Sequence, residues 1–557
     1  MINNSIYSDS RVRKHILPKQ IVWQNENVSL QENYDTLLKD GINNASPWSA
    51  KGCVLKKGAG FCLDYGKEIH GGIKIISGAN TNSITKIRIR FGESISEAIN
   101  EPNNDHAVHD TILDIPWHGT VEFGNTGFRY VRIDMIDQNG DEQSDPVIEI
   151  KEVRAVAVYR DLEYKGSFEC SDERLNVIWE TGAYTVHLNM QEYVWDGIKR
   201  DRLVWLGDMH PEVKVICSLF DDDGIVPASL DYAKNQTPIP KWINDISSYS
   251  LWWIIIQKDW YLYKGNLDYL TEQKEYLLSL LASLENFIDD SGSEILPESR
   301  FLDWPTNGDD KVVHAGLQSL LIWAFESGEL LCDILDEKIV AEKCREIVGK
   351  LKQHNPDGGT NKQANALKSI AGFDSPQKIN EDVLAVNPYK GVSTFYGYYV
   401  LEARAKAGDY KGTLDLIRKY WGGMINMGAT TFWEDFDLEW MENATRIDEM
   451  PQTDKKDIHK DYGNYCYKGL RHSLCHGWAG GPTAWLSEHI LGFKPLEPGC
   501  KKLLVDPHLG DLDWVEGSIP TPYGVVTVSH KKTDNGGIET EVQAPSEIEV
   551  VMPCRGK

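Results

Sequence analysis

The densest group of chemically useful side chains lies at 195–212, in the segment WDGIKRDRLVWLGDMHPE. Between residues 195 and 208 its charged residues are three acids and three cations: Asp196, Asp201, Asp208, Lys199, Arg200 and Arg202. Glycines and a proline favour a loop between two helices over part of this segment. Two interpretations stay open. The segment is a salt-bridged structural loop, or it is a pocket loop whose carboxylates bind sugar hydroxyls, one donating a proton, beside an aromatic wall formed by Trp205.

A second acidic segment is 428–440, GATTFWEDFDLEW, in which Glu434 follows Trp433 and precedes Asp435. Bulky apolar neighbours and an adjacent like charge both raise a carboxyl pKa, which marks Glu434 as a candidate for proton chemistry. The acids that follow, Asp435, Asp437 and Glu439, are expected on the solvated surface. Two carboxylates at one pocket are what glycoside hydrolysis requires, one to protonate the leaving oxygen and one to activate water or attack carbon.

A third segment, 471–485 with the sequence RHSLCHGWAGGPTAW, places His472 and His476 four residues apart. That spacing puts metal ligands on one helical face, but no companion ligand follows, so no metal is predicted. His476 is instead expected to donate to a sugar hydroxyl or to be a buried structural histidine. In the sequence Phe301-Leu302-Asp303-Trp304-Pro305, an acid beside an aromatic residue suits sugar binding and equally suits a capped turn.

Composition excludes several classes of function. The 557 residues hold 58 Lys plus Arg against 84 Asp plus Glu, a net charge of −26 that opposes binding to nucleic acid or to anionic membranes. The chain has no long apolar span, no nucleotide-binding glycine loop and no GxSxG elbow. Its ten cysteines are scattered, which predicts reduced thiols. As written, the chain is expected to be cytoplasmic, or periplasmic or secreted if a signal peptide was removed.

Tryptophan is unusually frequent. Fourteen of the 18 tryptophans fall between residues 161 and 490. Packing in the core explains any single one of them. The alternative is that several line a sugar site, because an indole face covers the apolar face of a pyranose ring.

The hydrophobic pattern divides the chain into three domains. Short alternating runs between Phe61 and Tyr159 predict antiparallel strands, as in the run with Ile84, Ile87, Ile89 and Phe91. Helical spacing begins after Ser171, and strands return after Pro495. We expect an N-terminal β-sandwich at 1–162, a toroid of paired helices at 163–492 and a small C-terminal β-sandwich at 493–557.

At these segments the chain resembles the α-L-rhamnosidases of glycoside hydrolase family 78. The acidic loop DGIKRDRLVWLGD is similar to the family's D-C-P-x-R-[D]E-[RK]-L-G-W-x-x-D, and GATTFWEDF is similar to its ATT-x-W-E-R-W. Further similar segments are GNTGFRYVRI, SLCHGWAGGPTAWLSEHILGFKPLEPG and TPYGVVTVSH. The resemblance covers about residues 60–530. It departs in that Asp201 stands where the family usually has Glu, and Gly197-Ile198 where it has Cys-Pro.

The resemblance implies an inverting, exo-acting glycoside hydrolase that releases α-L-rhamnose. Its implied fold is an (α/α)6 barrel flanked by an N-terminal and a small C-terminal β-sandwich, with no cofactor. Asp201 falls on the general acid and Glu434 on the general base. The implied or predicted substrate-binding residues are Asp196, Arg200, Trp205, Asp208, Asp303, Trp304, Trp433 and His476. The expected partner is a rhamnosylated glycoside or oligosaccharide, bound by a monomer or homodimer.

Three alternatives remain at this point. The same fold could serve another glycosidase or a phosphorylase, which would require phosphate and release a sugar phosphate. A catalytically silent carbohydrate-binding protein would bind sugar and release no product. A helical scaffold is disfavoured, because scaffolds have little use for loops rich in Asp, Trp and Arg.

Overall fold

The computed structural model describes residues 9–25, 31–39, 51–80, 84–101, 109–136, 147–297, 299–463 and 467–553. The first part of the chain forms one nine-stranded antiparallel sheet, with strand order β3-β4-β9-β5-β8-β6-β7, β1 paired to β9 and β2 paired to β5. Its strands are β1 Arg11–Ile16, β2 Gln20–Gln24, β3 Gln31–Glu32, β4 Cys53–Lys56, β5 Gly60–Asn80, β6 Ile84–Gly92, β7 Asp110–Pro116, β8 Thr120–Met135 and β9 Val147–Arg160. The β-type runs predicted between Phe61 and Tyr159 are confirmed, and four strands precede them.

Strand β6 shows how the alternation works. Ile87, Ile89 and Phe91 point into the core of the sheet and are at most 1% exposed. Ile84, which the sequence analysis grouped with them, is 49% exposed. That grouping was wrong because residues 84 and 87 are an odd number of positions apart, so their side chains point to opposite faces of the strand.

Helices dominate the middle of the chain, as predicted. Those in the described residues are α1 Ile95–Ile99, α2 Glu173–Asn189, α3 Leu206–Leu219, α4 Ile225–Gln236, α5 Ser247–Lys264, α6 Leu267–Glu285, α7 Asp310–Ile334, α8 Lys338–Leu351, α9 Lys362–Ala371, α10 Pro376–Ile379, α11 Gly397–Lys406, α12 Tyr410–Asn426 and α13 Gly481–Trp485. Helix α4 contains Pro227, and α9 is largely polar. Helix α3 begins at Leu206, so Asp208 lies in its first turn.

Six of these helices contact one another in a closed sequence. Helix α3 packs against α5, α5 against α7, α7 against α9, α9 against α11, α11 against α13, and α13 returns to α3. Other helices pack against members of this ring: α2 on α3 and α13, α6 on α5 and α7, α8 on α7, α10 on α9 and α11, and α12 on α11.

The chain ends in small sheets. Their strands, with one short pair from the helical region, are β10 Ser167–Cys170, β11 Ala444–Thr445, β12 Lys456–Asp457, β13 Phe493–Pro495, β14 Lys502–Val505, β15 Trp514–Thr521, β16 Gly524–Lys532, β17 Ile538–Gln543 and β18 Glu549–Val551. One sheet has the order β10-β15-β16-β17 and another β13-β14-β18. The C-terminal sheet therefore includes a strand, β10, that comes before the helices in the chain.

Two large apolar cores and two small apolar clusters are present among the described residues. The helices and the C-terminal sheets share one continuous cluster, from Phe168 to Ile548, and the N-terminal sheet has a separate one. The eight cysteines among the described residues are buried and free, while Cys466 and Cys554 lie outside that part. Within the described residues, no helix combines the length and apolar character needed to cross a membrane.

The shared core predicts a measurable cost for an internal cavity. Leu320 on α7 is fully buried, so Leu320→Ala is expected to destabilise the protein by about 2–5 kcal/mol. Ile339→Ala on α8 is the control, because that side chain is 87% exposed. Urea unfolding followed by tryptophan fluorescence would show a lower midpoint for the first variant alone, and equal midpoints would contradict the packing described.

Candidate active site

A cavity of about 350 Å³ opens beside the amino-terminal ends of α3 and α5. It is lined by seven of the ten residues predicted for the site: Asp196, Asp201, Trp205, Asp208, Trp304, Glu434 and His476. The other lining residues are Ile246, Tyr249, Ser299, Arg300, Phe301, Tyr467 and Trp478. The structure therefore brings the loop at 195–212 together with residues of the segments at 301–305, 428–440 and 471–485, and the last two segments are more than 200 residues from the loop in the chain.

The loop before α3 is held by its own backbone and by the segment at 476–477. The Leu203 amide donates to the Asp196 carboxylate at 2.9 Å, and the Asp196 amide donates to the Leu203 carbonyl at 3.1 Å. The Gly477 amide donates to the Asp196 carbonyl at 2.8 Å. At the tip of the loop, Asp201 and Arg202 both have left-handed backbones, with φ of 53° and 55°. Consecutive residues of this kind are costly unless the surroundings enforce them, and such strain clusters at functional sites.

Lys199 does not pair with the acids of its own loop, contrary to the salt-bridged interpretation of that loop. Its ammonium group is buried and contacts Glu93 at 3.0 Å and Glu97 at 3.3 Å, both beside or within α1. It also donates to the carbonyls of Leu470 at 2.8 Å and His472 at 2.7 Å. A buried lysine with four oxygen partners fixes the loop to two distant parts of the chain.

Arg200 forms a buried ion pair with Glu434 and also contacts Asp201, at 3.5 Å between Nη1 and Oδ1. Burial favours the neutral carboxyl, but the charges of Arg200 and two histidines outweigh it and lower the pKa of Glu434 to about 2. The expectation of a raised pKa at Glu434 was wrong, because the sequence shows its chain neighbours and not the cation brought to it by folding. Glu434 is ionised at neutral pH.

Asp208 and His476 form a second buried pair, with 3.1 Å between Oδ1 and Nε2. Burial raises the pKa of Asp208, and it raises that of Asp196 well above its usual range. For His476, burial lowers the pKa, but Glu434, Asp208 and Asp196 outweigh it and raise it. Burial and mutual charge thus shift the pKa values of three groups that face one cavity. The His476 Nδ1 atom has no partner among the described residues.

Aromatic rings form the walls. Trp205 meets Tyr249 edge to face at 5.9 Å between ring centroids, and Phe301 meets Trp304 at 5.1 Å. The His476 ring lies 4.3 Å from Trp478. These rings leave apolar faces beside the carboxylates, as in pockets that bind sugars. Trp252, Trp253 and Trp421 are buried in the core, as the packing interpretation predicts, whereas Trp205, Trp304 and Trp478 line the cavity.

Three predicted residues lie outside the cavity lining. Arg200 stands behind Glu434. Trp433 is 1% exposed and packs against Phe436. The Asp303 carboxylate accepts from the Trp304 amide at 2.8 Å and from the Ser393 hydroxyl, so it caps a turn and is satisfied there.

Two further expectations were wrong. Asp435 is buried, and its amide donates to Nε2 of His472 at 2.9 Å. His472 and His476 do not share a helical face, because short 3₁₀ turns flank the segment between them.

Sequence reasoning missed Tyr249, Tyr467 and Arg300. The Arg200 guanidinium stacks on the Tyr467 ring at 3.3 Å from its centroid, and the Tyr467 hydroxyl is 3.5 Å from Asp201. Arg300 is paired with Glu294. Phe301 and Trp478 could have been predicted from the sequence, since each lies inside a segment that was singled out for another residue.

Comparison with known proteins gives matches along most of the chain. Residues 163–319 match a bacterial α-L-rhamnosidase six-hairpin glycosidase domain, and residues 492–557 match a bacterial α-L-rhamnosidase C-terminal domain. A family 78 rhamnosidase from Bacillus sp. GL1 has a similar structure, with a TM-score of 0.73 at 21% identity over 93% of this chain and 55% of that one. The chain is therefore similar to bacterial α-L-rhamnosidases at both matched segments, and its fold is similar to that of a family 78 rhamnosidase.

Two curated relatives match a larger part of the chain. α-L-Rhamnosidases from Alteromonas sp. (strain LOR) and Formosa agariphila are each 24% identical to this chain, in matches that cover 84% of it. The chain spans about half the length of these relatives, 53% and 52%. A rhamnosidase from Klebsiella oxytoca, solved with rhamnose bound, has a TM-score of 0.68 at 19% identity over 86% of this chain and 96% of its own.

The buried lysine predicts the behaviour of a matched set of variants. Lys199→Met removes the cation from Glu93 and Glu97, and leaving buried carboxylates without it is expected to cost about 3–5 kcal/mol of stability. Adding Glu97→Gln should restore part of this loss, because one fewer carboxylate then lacks a cation. Lys378→Met on the surface is the control. Thermal unfolding measures all three, and a Lys199→Met protein as stable as the control would contradict the assignment.

Proposed function

We propose that this protein is an inverting, exo-acting α-L-rhamnosidase that releases terminal α-L-rhamnose from glycosides or oligosaccharides. The observation that carries the proposal is the meeting of Asp201 and Glu434 at one cavity, where both carboxylates contact the Arg200 guanidinium. The similarity to the two α-L-rhamnosidase domain families and the names of the relatives, all α-L-rhamnosidases, support the choice of sugar.

In this proposal Glu434 is the general base. Inversion requires an ionised carboxylate that takes a proton from water as the water attacks the anomeric carbon. Arg200 keeps Glu434 ionised, and the Ser473 amide donates to the same carboxylate at 3.2 Å. These contacts fix the position of the carboxylate and leave its charge available to the water.

Asp201 is the proposed general acid. Its side chain is 29% exposed at the tip of the strained loop, so it reaches the leaving group without being fully desolvated. Protonated Asp201 would donate to the glycosidic oxygen as the bond to the anomeric carbon lengthens, while Glu434 draws a proton from water on the opposite face. Asp201 is one methylene shorter than the Glu that the family usually has at this position. The left-handed backbone at Asp201 and Arg202 would turn this shorter side chain toward the cavity.

The remaining lining residues suit recognition of one sugar. Asp196, Asp208 and His476 offer buried acceptors and a donor for hydroxyl groups. Trp205 and Trp304 offer apolar faces for the ring and its methyl group. A volume of about 350 Å³ is near the lower end for ligand pockets, which supports action on a single terminal residue.

The proposal includes the finer architecture. The closed sequence of contacts from α3 through α13 supports an (α/α)6 barrel, with α2, α6, α8, α10 and α12 packed against it. The nine-stranded N-terminal sheet and the small C-terminal sheets would be the two flanking β-sandwiches. We propose a monomer or homodimer that acts on carbohydrate.

Two substitutions test the catalytic roles. Asp201→Asn and Glu434→Gln are each expected to lower kcat on an α-L-rhamnoside by about 10²–10⁴-fold, because each removes one proton transfer. Asp201→Asn should cost less on p-nitrophenyl rhamnoside than on an alkyl rhamnoside, since nitrophenolate leaves without protonation. Glu439→Gln, an exposed carboxyl nearby, is the control. Steady-state kinetics on both substrates gives the answer, and full activity of either variant on the alkyl rhamnoside would refute its role.

The pH profile tests the role of Arg200. With Arg200 present, the lowered pKa of Glu434 contributes stability at neutral pH that is lost as pH falls toward about 2, and the base stays ionised above that value. In Arg200→Met the positive charge that offsets the effect of burial on Glu434 is gone, so the pKa of Glu434 rises. The acidic limb of the kcat/KM profile is therefore expected to move to higher pH. Activity should recover above that limb. Arg345→Met on the surface is the control, and an unshifted limb would contradict the assignment.

A further inference from the structure

A second cavity, of about 470 Å³, lies where the N-terminal sheet meets α2. We call it the junction cavity. It is lined by side chains from β1, the β1–β2 turn, β5, β9 and α2, none of which belongs to the candidate active site. Its chemistry differs from that of the active site, because cations surround it instead of carboxylates.

Three lysines line the junction cavity: Lys14, Lys19 and Lys67. Lys14 is paired with Asp161 at 3.1 Å. Lys19 and Lys67 form no ion pair with any residue in the described part of the chain, and both are exposed. On a protein with a net charge of −26, two free ammonium groups at one cavity make a local site for a negative charge.

Tyrosine rings form the sides. Lys67 Nζ lies over the Tyr184 ring, 4.5 Å from its centroid, and Lys14 Nζ lies over the Tyr159 ring at 5.0 Å. Ile69 and Leu188 add apolar surface. An aromatic face beside a cation suits a ligand with an apolar ring face and a negative substituent.

The buried Tyr65 side chain also lines the cavity. It is 1% exposed, and its hydroxyl has no hydrogen-bond partner among the described residues. A buried hydroxyl without a partner costs about 1–3 kcal/mol. A ligand hydroxyl that fills the cavity would supply the missing partner.

We propose that the junction cavity is a second carbohydrate site, and that it takes a carboxylate-bearing sugar. Lys19 and Lys67 would bind the carboxylate, Ile69 and Leu188 would contact the apolar face of the sugar ring, and the Tyr65 hydroxyl would bind a sugar hydroxyl. The inference rests on the proposed function in one respect only, namely that the substrates of a glycosidase are glycans, which can contain carboxylate-bearing sugars. A uronate-containing glycan with a terminal rhamnose is then the favoured substrate class.

The cavity also has a path to the active site. His70, which lines it, packs edge to face on Trp195 at 5.5 Å between ring centroids. Trp195 directly precedes Asp196 of the active-site loop. A ligand in the junction cavity would therefore contact a side chain that supports that loop.

Calorimetric titration of the full-length Glu434→Gln protein with trigalacturonate tests the proposal. Saturating L-rhamnose is present throughout, so that the active site is occupied. We expect binding that weakens with salt, and Lys19→Gln/Lys67→Gln is expected to weaken it by about tenfold or more through loss of charge-assisted hydrogen bonds. Lys241→Gln/Lys378→Gln removes the same charge from other exposed positions and should leave affinity unchanged.

Tyr65→Phe gives a separate signature. Removing a hydroxyl that has no partner should raise the Tm of the free protein and weaken trigalacturonate binding. Binding of inorganic phosphate or neutral maltotriose as tight as that of trigalacturonate would overturn the proposal, as would absent binding or binding unaffected by the two lysine changes. If trigalacturonate binding fails while the unmodified protein cleaves a rhamnoside normally, only the second site is refuted. If trigalacturonate binds while the unmodified protein cleaves no rhamnoside, only the proposed function is refuted.

Discussion

Two neighbouring cations, Lys199 and Arg200, anchor the active-site loop to different acids. Lys199 turns toward Glu93 and Glu97 beside the N-terminal sheet, and Arg200 turns toward Glu434 in the helical domain. A buried charge is stable only when it is paired, so each cation requires its acids and each acid requires its cation. With both fixed, the residue that follows, Asp201, has little freedom to lie anywhere except at the mouth of the cavity.

The same constraint makes the N-terminal sheet part of the site. Glu93 accepts from the Leu474 amide at 2.6 Å, one residue after the Ser473 amide that donates to Glu434. The Gly127 amide on β8 donates to the Ile198 carbonyl at 2.9 Å, and a Cβ at Gly127 would press on the Ile198 side chain. Both active-site segments thus lie against the sheet, and its removal would expose Lys199.

The sequence predicted the order of strands, helices and strands along the chain and half of the residues that line the cavity, because local periodicity and clustered acids are visible in one dimension. It did not predict electrostatics that depend on distant partners. Glu434 appeared to have a raised pKa because only Trp433 and Asp435 could be seen beside it, while Arg200 comes from more than 200 residues away. Lys199 was grouped with the three acids of its own loop in one of two open interpretations for the same reason, and the role of Asp303 as a cap was likewise one of two alternatives.

The central claim is that Asp201 and Glu434 act on opposite faces of a rhamnoside with water as the nucleophile. The most direct test is a proton NMR time course with p-nitrophenyl α-L-rhamnopyranoside that follows the anomeric protons of the released sugar. The account predicts that β-rhamnose appears first and then mutarotates, with no requirement for phosphate. Initial α-rhamnose, a sugar phosphate, or no release at all would contradict it.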